Sequence, residues 1–277
     1  DMLRDCQPNR PLGVHMAAAT QPVDLPTLRE RWKFAAATIA KAPTIKIVPM
    51  IGSLGCPYTC SFCIDSTVDY QPLGFEDLRD DLAFLLTKVK HPLVGWHDPN
   101  FGVRFDDYME AVEAAVPPGR MRHIAESSLS LLSEPHLQRL RKNGFQAILP
   151  GIESWYDLGN KSKTRRTGMD KVQQVADHVN MILRYIPYIQ TNFVLGLDTD
   201  SGPEPFELTK RFLDLAPGAY ARLTVRASRV PRVLAWLTRI ERIQVFSDER
   251  PLKRSSPLMT PSQVSWTTSS ATAVLGT

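Results

Sequence analysis

The sequence has little that would place the protein in a membrane or outside the cell. No run of 18 or more apolar residues is present, so we expect no membrane-spanning helix and no membrane partner. The first residues, DMLRDCQPNRPLG, lack the basic start and apolar block of a secretory signal. With 277 residues, 43% of them hydrophobic and 22% charged, the chain is typical of globular proteins. We therefore expect a cytoplasmic protein with one large domain or two smaller ones.

The first 220 residues also lack an excess of basic side chains. The formal charge of the chain is +4, but residues 221–277 hold nine Lys and Arg against three acids. The rest of the chain then carries 24 basic and 26 acidic side chains. A nucleic-acid partner needs a basic surface on the folded part of the protein, so the composition argues against one.

The last 57 residues differ in composition from the rest of the chain. They contain no Asn, Cys, His or Tyr and one Gly, and fifteen of them are Ser or Thr. We interpret residues 221–277 as an atypical basic tail, and two explanations stay open. The tail is out of frame or otherwise aberrant, and then poorly ordered, or it is a genuine basic appendage. The chain also begins with Asp1 rather than Met, which suggests a fragment.

Cysteine is scarce, and its placement is uneven. Of four cysteines, three fall within eight residues, at Cys56, Cys60 and Cys63. Disulfide frameworks are typical of small secreted domains, and this chain has neither the size nor the signal of one. Such crowding favours a metal or redox site over disulfides.

Apolar runs alternate with helical patterns between residues 44 and 220, which we interpret as the core. Residues 1–43 read as a linker or the remnant of an upstream domain, with one helix over 26–40. Strands are predicted over 45–55, 93–97, 121–125, 145–150 and 188–197. Helices are predicted over 74–89, 105–115, 134–142, 170–185 and 203–215. No convincing strand follows Tyr220. This alternation predicts an α/β fold, with parallel strands curled into a partial (β/α) barrel.

Chemically useful side chains follow the predicted strands. The cysteine loop, Asp98, Glu126 and Glu153 each come directly after one of them. In barrels of parallel strands, reactive groups lie in the loops after the carboxyl ends of the strands. The sequence therefore predicts a single site at this edge of the sheet.

The cysteines form a C-x3-C-x2-C motif, with an aromatic residue directly before the third. Thiolates suit zinc or iron–sulfur clusters. A structural zinc site needs four ligands, and Cys6 lies 50 residues from Cys56. Electron-transfer ferredoxins also supply four cysteines to each cluster. A [4Fe–4S] cube held by three cysteines leaves one iron open. A non-catalytic iron–sulfur or metal-binding protein is the alternative, as is an inactive fragment of an enzyme.

The motif and its position after the first strand resemble the radical SAM superfamily, over roughly residues 45–215. The resemblance implies a radical SAM type of barrel and a [4Fe–4S] cluster on Cys56, Cys60 and Cys63. S-adenosylmethionine would bind the open iron, and an electron from the cluster would cleave it. The resulting 5′-deoxyadenosyl radical would abstract hydrogen from a substrate that the sequence does not identify. A reductant protein such as a flavodoxin or ferredoxin would be a partner.

The segment Gly95–Phe101 occupies the place of the family's Gly-Gly-Glu motif and departs from it. It is closer to a D-x-N-F variant in members that carry an upstream cobalamin-type domain. By this likeness Asp98 would hold the methionine ammonium group, with Asn100 beside it. Cobalamin then becomes an additional candidate cofactor. A simple turn at residues 98–100 is the alternative.

The resemblance extends to further cofactor-binding positions near the strand ends. They are Tyr58 and Phe62 in the loop, Glu126 and Ser127, Gly151, Glu153 and Ser154, and Val194 and Gly196. Glu153 would accept hydrogen bonds from ribose hydroxyls, and the strand with Val194 and Gly196 would contact adenine. A solvated loop acid at Glu126 and a plain core strand at Val194 stay open as alternatives. No catalytic residue is assigned.

Overall fold

Seven parallel strands form the main sheet of the computed structural model, which describes residues 25–42, 45–58, 60, 63–156, 167–197, 199–200, 202–225 and 243–247. In sheet order they are β1 Ile47–Met50, β4 Leu93–Trp96, β5 Arg122–Ser127, β6 Phe145–Glu153, β7 Tyr188–Leu195, β8 Tyr220–Val225 and β9 Ile243–Ser247. A separate antiparallel pair joins β2 Ser53–Leu54 to β3 Gln71–Pro72. The predicted partial barrel of parallel strands is confirmed.

Six α-helices lie among the described residues, most of them between consecutive strands of the sheet. They are α1 Leu28–Lys41, α2 Phe75–Lys88, α3 Phe105–Ala115, α4 Glu134–Lys142, α5 Gly168–Leu183 and α6 Glu204–Leu215. Each places apolar residues at helical spacing on the side that covers the sheet, as Val172, Val175 and Val179 do in α5. None of these helices is long and apolar enough to cross a lipid bilayer.

Side chains alternate between the two faces of the strands. In β5, His123, Ala125 and Ser127 are buried, whereas Arg122 and Glu126 are exposed. The pleat of a strand sends successive side chains to opposite faces, so the buried set packs beneath the helices. The other set lines the concave side of the partial barrel, where a ligand has access.

Two features of the strands differ from the sequence prediction. The apolar run over 45–55 is not one strand, because the chain turns after Met50 and pairs again only at Ser53. The expectation of no convincing strand after Tyr220 is wrong, since β8 pairs with β7 over six residues. Its polar positions Arg222 and Thr224 alternate with buried Ala221 and Leu223, so β8 lacks the continuous apolar run of a central strand.

The sheet also continues past the predicted boundary at residue 220, because β9 pairs in parallel with β8. The predicted tail from residue 248 onward lies outside the described residues. At the other end of the chain, α1 confirms the helix predicted over 26–40.

The amino-terminal end of α1 is fixed to α2 by one buried carboxylate. Thr27 and Glu30 form a capping box, and Asp81 of α2 accepts hydrogen bonds from the backbone N–H groups of Leu28 and Arg29. The Arg29 guanidinium also lies 3.0 Å from the Asp81 carboxylate, which is fully buried. This carboxylate satisfies N–H groups that have no partner within the helix.

We expect Asp81→Asn to lower the free energy of unfolding by about 2 kcal/mol, because an amide cannot accept all of these hydrogen bonds. Asp80→Asn is the matched control: its carboxylate also lies near Arg29, at 3.2 Å, but is 42% exposed. The control should cost less, because solvent screens its exposed carboxylate. Urea unfolding of both variants measures the difference, and equal losses would contradict the buried anchor.

Candidate functional site

The carboxyl ends of the parallel strands bring together nearly all of the residues predicted for the site. The loop after β1 carries the cysteines, Asp98 and Asn100 follow β4, and Glu126 lies near the end of β5. Glu153 is the last residue of β6. Because the strands are parallel and in register, their carboxyl ends share one edge of the sheet.

Gly55 sets the start of the cysteine loop. Its φ is +66°, and a Cβ atom there would lie 2.4 Å from the carbonyl oxygen of Val68 and 2.5 Å from that of Asp69. Glycine is therefore needed both for the left-handed backbone and for the close approach of the returning chain. The Cys56 N–H then donates to the carbonyl of Asp65 at 3.1 Å, which closes the loop.

The return of the loop is held by Ser66. Its hydroxyl lies 2.9 Å from the carbonyl oxygen of Cys60 and 2.6 Å from that of Cys63. The Cys63 N–H donates to the Cys60 carbonyl at 3.1 Å, so the backbones of the second and third cysteines are directly linked.

None of the three cysteines forms a disulfide, and all three are partly exposed. The Cys63 thiol donates to the Asp65 carboxylate at 3.6 Å, and burial raises the pKa of this thiol. Cys63 would therefore have to lose its proton before its thiolate could hold an iron. Tyr58 is exposed in the loop, whereas Phe62 lies outside the described residues.

The Asp98 carboxylate is fully buried and accepts three hydrogen bonds. The donors are the Gly52 N–H at 3.2 Å, the Ser53 hydroxyl at 2.7 Å and the Tyr108 hydroxyl at 2.7 Å. Burial raises the pKa of Asp98, and these hydrogen bonds oppose the shift. The role of Asp98 in holding the methionine ammonium group stays a prediction.

Asn100 joins the ends of β4 and β5. Its side-chain amide donates to the Ser128 hydroxyl at 2.8 Å and accepts from the Ser128 N–H at 3.1 Å. The Ser127 hydroxyl lies 3.5 Å from the same amide oxygen, and both Asn100 and Ser127 are buried. These contacts fix the edge of the sheet between Asp98 and Glu126.

Charged side chains gather on the concave side, and most of them are acidic. Burial raises the pKa of Glu126, Arg222 opposes the shift, and the carboxylates of Asp65 and Glu153 raise it further. Conversely, burial lowers the pKa of Arg222, and Glu126 opposes that shift. Glu126 is accessible to solvent but has protein on several sides, so it is only partly hydrated. Three carboxylates therefore share this region with one guanidinium, an arrangement that favours a cationic ligand.

Glu153 has a left-handed backbone, with φ of 67°, unlike every other described residue that is not glycine. The register between β6 and β7 shifts beside it, between Gly151 and Glu153. Side chains other than glycine adopt this conformation at a cost, and such residues are common at functional sites. The buried Ser154 that follows accepts from the Tyr156 N–H through its hydroxyl, at 3.1 Å.

The chain after Glu153 is also held by contacts that sequence reasoning missed. The Lys171 ammonium of α5 donates to the Ser154 carbonyl at 2.6 Å, and the Trp155 indole N–H donates to the Thr209 hydroxyl at 2.8 Å. No short motif connects these residues, because they come from α5 and α6. Only the fold brings them to the end of β6.

The fifth predicted strand, now β7, presents Asn192 and Val194 at the alternate positions that are less buried. The register places Asn192 between Gly151 of β6 and Arg222 of β8. At the end of β7, Gly196 has φ of +84°, and its N–H donates to the Asp200 carboxylate at 2.7 Å. Val194 and Gly196 thus lie at the same edge as the other predicted residues.

A parallel partial barrel with a three-cysteine loop at the carboxyl edge of its first strand defines the core of a radical enzyme that uses an iron–sulfur cluster. The sequence profile of the radical SAM superfamily matches residues 50–213, more than half of the chain. The chain therefore belongs to the radical SAM superfamily. Its cofactors are a [4Fe–4S] cluster and S-adenosylmethionine.

Two kinds of relative resemble this chain. A bacteriochlorophyllide d C-12(1)-methyltransferase of Chlorobaculum tepidum is 26% identical over 176 residues, which cover 61% of this chain and 37% of the relative. Two solved structures of TsrM, a radical S-adenosylmethionine methyltransferase from Kitasatospora setae, match with a TM-score of 0.52. One has cobalamin and a [4Fe–4S] cluster bound, is 16% identical, and matches 64% of this chain and 36% of TsrM.

The other TsrM structure has tryptophan and a SAM analogue bound, is 15% identical, and matches 76% of this chain and 39% of TsrM. At this identity the likeness to TsrM shows the fold. The chain spans less than two fifths of the length of these relatives.

The donor set of the loop, three thiol side chains, suits an iron–sulfur cluster. Among the described residues, no group of three His, Cys, Asp or Glu side chains lies close enough to surround one ion. A cube instead takes one thiolate on each of three irons, so its ligands lie apart. Three cysteine side chains on one closed loop, none of them in a disulfide, suit this arrangement.

Glu153→Gly should be more stable than Glu153→Ala by about 1 kcal/mol, because glycine adopts a positive φ without strain. Both variants lose the carboxylate, so the comparison isolates the backbone. The same pair at Glu110, which is exposed within α3, should give the opposite order, with glycine less stable by about 1 kcal/mol. Denaturant unfolding measures both pairs, and an alanine variant at 153 as stable as the glycine variant would contradict the strain.

Proposed function

We propose that this chain is the catalytic core of a radical SAM enzyme in which Cys56, Cys60 and Cys63 bind three irons of the cluster. The observation that carries the proposal is the shared edge of the sheet, where the closed cysteine loop faces the carboxylates of Glu126 and Glu153. When bound, the reduced cluster supplies the electron that breaks a sulfur–carbon bond of S-adenosylmethionine. The residues of this chain bind and orient the two cofactors.

The charge of the site supports S-adenosylmethionine as the ligand. The sulfonium and ammonium groups of this molecule are cationic, and the concave side places two further carboxylates, Asp65 and Glu153, and one guanidinium, Arg222, near Glu126. Burial raises the pKa of Glu126 most, and repulsion from Asp65 and Glu153 adds to it; a cation beside Glu126 would offset that repulsion. Glu126 is therefore our candidate for the ammonium group, and Glu153 for the ribose hydroxyls.

The remaining predicted contacts are part of the same proposal. Gly151 leaves room beside Glu153, and Val194 and Gly196 offer an apolar edge for adenine. Asn100 and Ser127 hold the sheet edge on which these groups depend. We further propose a cytoplasmic location, a flavodoxin or ferredoxin as the reductant, and cobalamin as an additional cofactor to be tested.

Anaerobic reconstitution with iron and sulfide tests the cluster. The chain should bind about four irons and, with dithionite and S-adenosylmethionine, release 5′-deoxyadenosine. Cys56→Ala, Cys60→Ala and Cys63→Ala should each abolish the product, whereas Cys6→Ala, the matched control, should retain it. Iron content and chromatography of the nucleoside products are the measurements. Four irons with no 5′-deoxyadenosine would favour a non-catalytic iron–sulfur protein instead.

Methyl transfer is our proposal for the reaction class. The observation in its favour is the 26% identity to the Chlorobaculum tepidum methyltransferase over 176 residues. A methyl transfer from S-adenosylmethionine leaves S-adenosylhomocysteine, whereas reductive cleavage leaves methionine and 5′-deoxyadenosine.

With reduced cobalamin added as the methyl acceptor, we expect the loaded wild-type chain to form S-adenosylhomocysteine and methylcobalamin in equal amounts. Mass spectrometry with a deuterated methyl group on S-adenosylmethionine follows the label. Cys60→Ala is the control for transfer without the cluster. If 5′-deoxyadenosine accumulates and no label reaches cobalamin, cobalamin-dependent methyl transfer is wrong and the cleavage activity still stands.

A further inference from the structure

We propose that Asp98 is a positioning residue for the cysteine loop and that it acts through Gly52, Ser53 and Tyr108 rather than by binding S-adenosylmethionine. This inference rests on the proposed function only in naming the loop as the cluster site. It assigns to Asp98 a role different from the one that the sequence predicts.

The three donors to Asp98 come from three different elements. Gly52 follows β1, Ser53 begins β2, and Tyr108 lies in the middle of α3. Their distances to the carboxylate are 3.2, 2.7 and 2.7 Å, all within hydrogen-bond range. Asp98 thereby ties the start of the cysteine loop to β4 and to the helix layer at once.

The residues that Asp98 anchors lie close in sequence to the cysteines that we propose as cluster ligands. Three residues separate Gly52 from Cys56, and Gly55 among them has no space to move toward the carbonyl groups of Val68 and Asp69. The Gly52 carbonyl also accepts from the Leu73 N–H at 2.7 Å, so both arms of the loop meet at this point. A displacement of Gly52 would therefore be transmitted along the backbone to Cys56 almost undiminished.

The surroundings of Asp98 leave no access for a ligand. Its side chain is fully buried, Ser53 is buried beside it, and Tyr108 stacks on Trp96 with ring centroids 5.5 Å apart. A Cβ atom on Gly52 would lie 2.8 Å from the Tyr108 hydroxyl and 3.1 Å from the Asp98 carboxylate. The methionine ammonium group would have to displace these donors to reach the carboxylate.

The Tyr70 phenol lies on the returning arm of the loop and completes the group of polar side chains around Asp98. Burial raises the pKa of Tyr70, and its hydroxyl faces Ser53 and Tyr108. Burial together with the adjacent Asp98 carboxylate also raises the pKa of Tyr108. Tyr108 thus stays protonated and donates to the Asp98 carboxylate, while Tyr70 contacts Ser53 and Tyr108, the two side chains that make these bonds.

Amide hydrogen exchange on the chain without cluster tests the positioning role directly. We expect Asp98→Asn and Tyr108→Phe to speed exchange over residues 52–56 and at Leu73 by tenfold or more, on the order of the loss when a buried charge-assisted hydrogen bond is removed. Gly52→Ala keeps every hydrogen-bonding group, but its added methyl group would push the loop away from Asp98. It should therefore speed exchange over the same residues. Tyr220→Phe, at an exposed tyrosine that begins β8, is the matched control and should change nothing.

The second readout links the anchor to the cluster. After reconstitution, Asp98→Asn and Tyr108→Phe should lose iron to a chelator roughly 10 to 100 times more readily, the range for outer-shell partners of metal sites. The electron paramagnetic resonance signal of the reduced cluster should change in both variants. The variant with both substitutions should lose iron no more readily than Asp98→Asn alone, because one hydrogen-bond network carries both effects.

Two results would overturn the inference. One is unchanged exchange over residues 52–56 in all three variants. The other is a pattern in which Asp98→Asn keeps its iron content and its resonance signal but binds S-adenosylmethionine more weakly. In that pattern, Tyr108→Phe would leave all three measurements unchanged. Exchange does not depend on the cluster, so a wild-type chain that binds no iron would refute the proposed function and leave this test intact. If Asp98→Asn does not fold, Tyr108→Phe and Gly52→Ala still decide the matter.

Discussion

Parallel pairing of the strands is the constraint on which the rest of this structure depends. The carboxyl ends of β1, β4, β5, β6 and β7 meet at one edge, where the first four are followed by the cysteine loop or by a polar or charged group. The loops that follow can then differ in sequence without losing their common position. This is why residues as far apart as Cys56 and Gly196 form one candidate site.

The loop that carries the cysteines is tied down at its base and open at its tip. Gly55, Ser66 and the Cys56 N–H close the base, while the thiols are partly exposed. Such a division suits a cofactor that must be loaded into a finished fold and must keep one face open to a second ligand. The acidic concave side then opposes anions and favours cations at the same opening.

The sequence allowed the core strands, the cysteine loop and the position of Glu153 to be predicted, because each has a local signal. The cysteine spacing, the apolar runs and the Gly-x-Glu-Ser pattern are readable without a fold. Arg222 was missed because β8 alternates polar and apolar residues and so resembles a surface segment. The partners of Asp98 were also out of reach, since Ser53 and Tyr108 lie 45 and 10 residues away along the chain. Only packing decides that this carboxylate is buried.

The docking of α1 has a practical consequence for anyone who shortens this protein. The family match begins at residue 50, which makes a start near that point attractive. Such a start would remove α1 and uncover the surface where Leu28 is buried. It would also leave Asp81 as a carboxylate with none of its backbone donors. A shortened chain that begins ahead of Thr27 keeps the helix cap and its acceptor together. This is the shorter form that should remain stably folded.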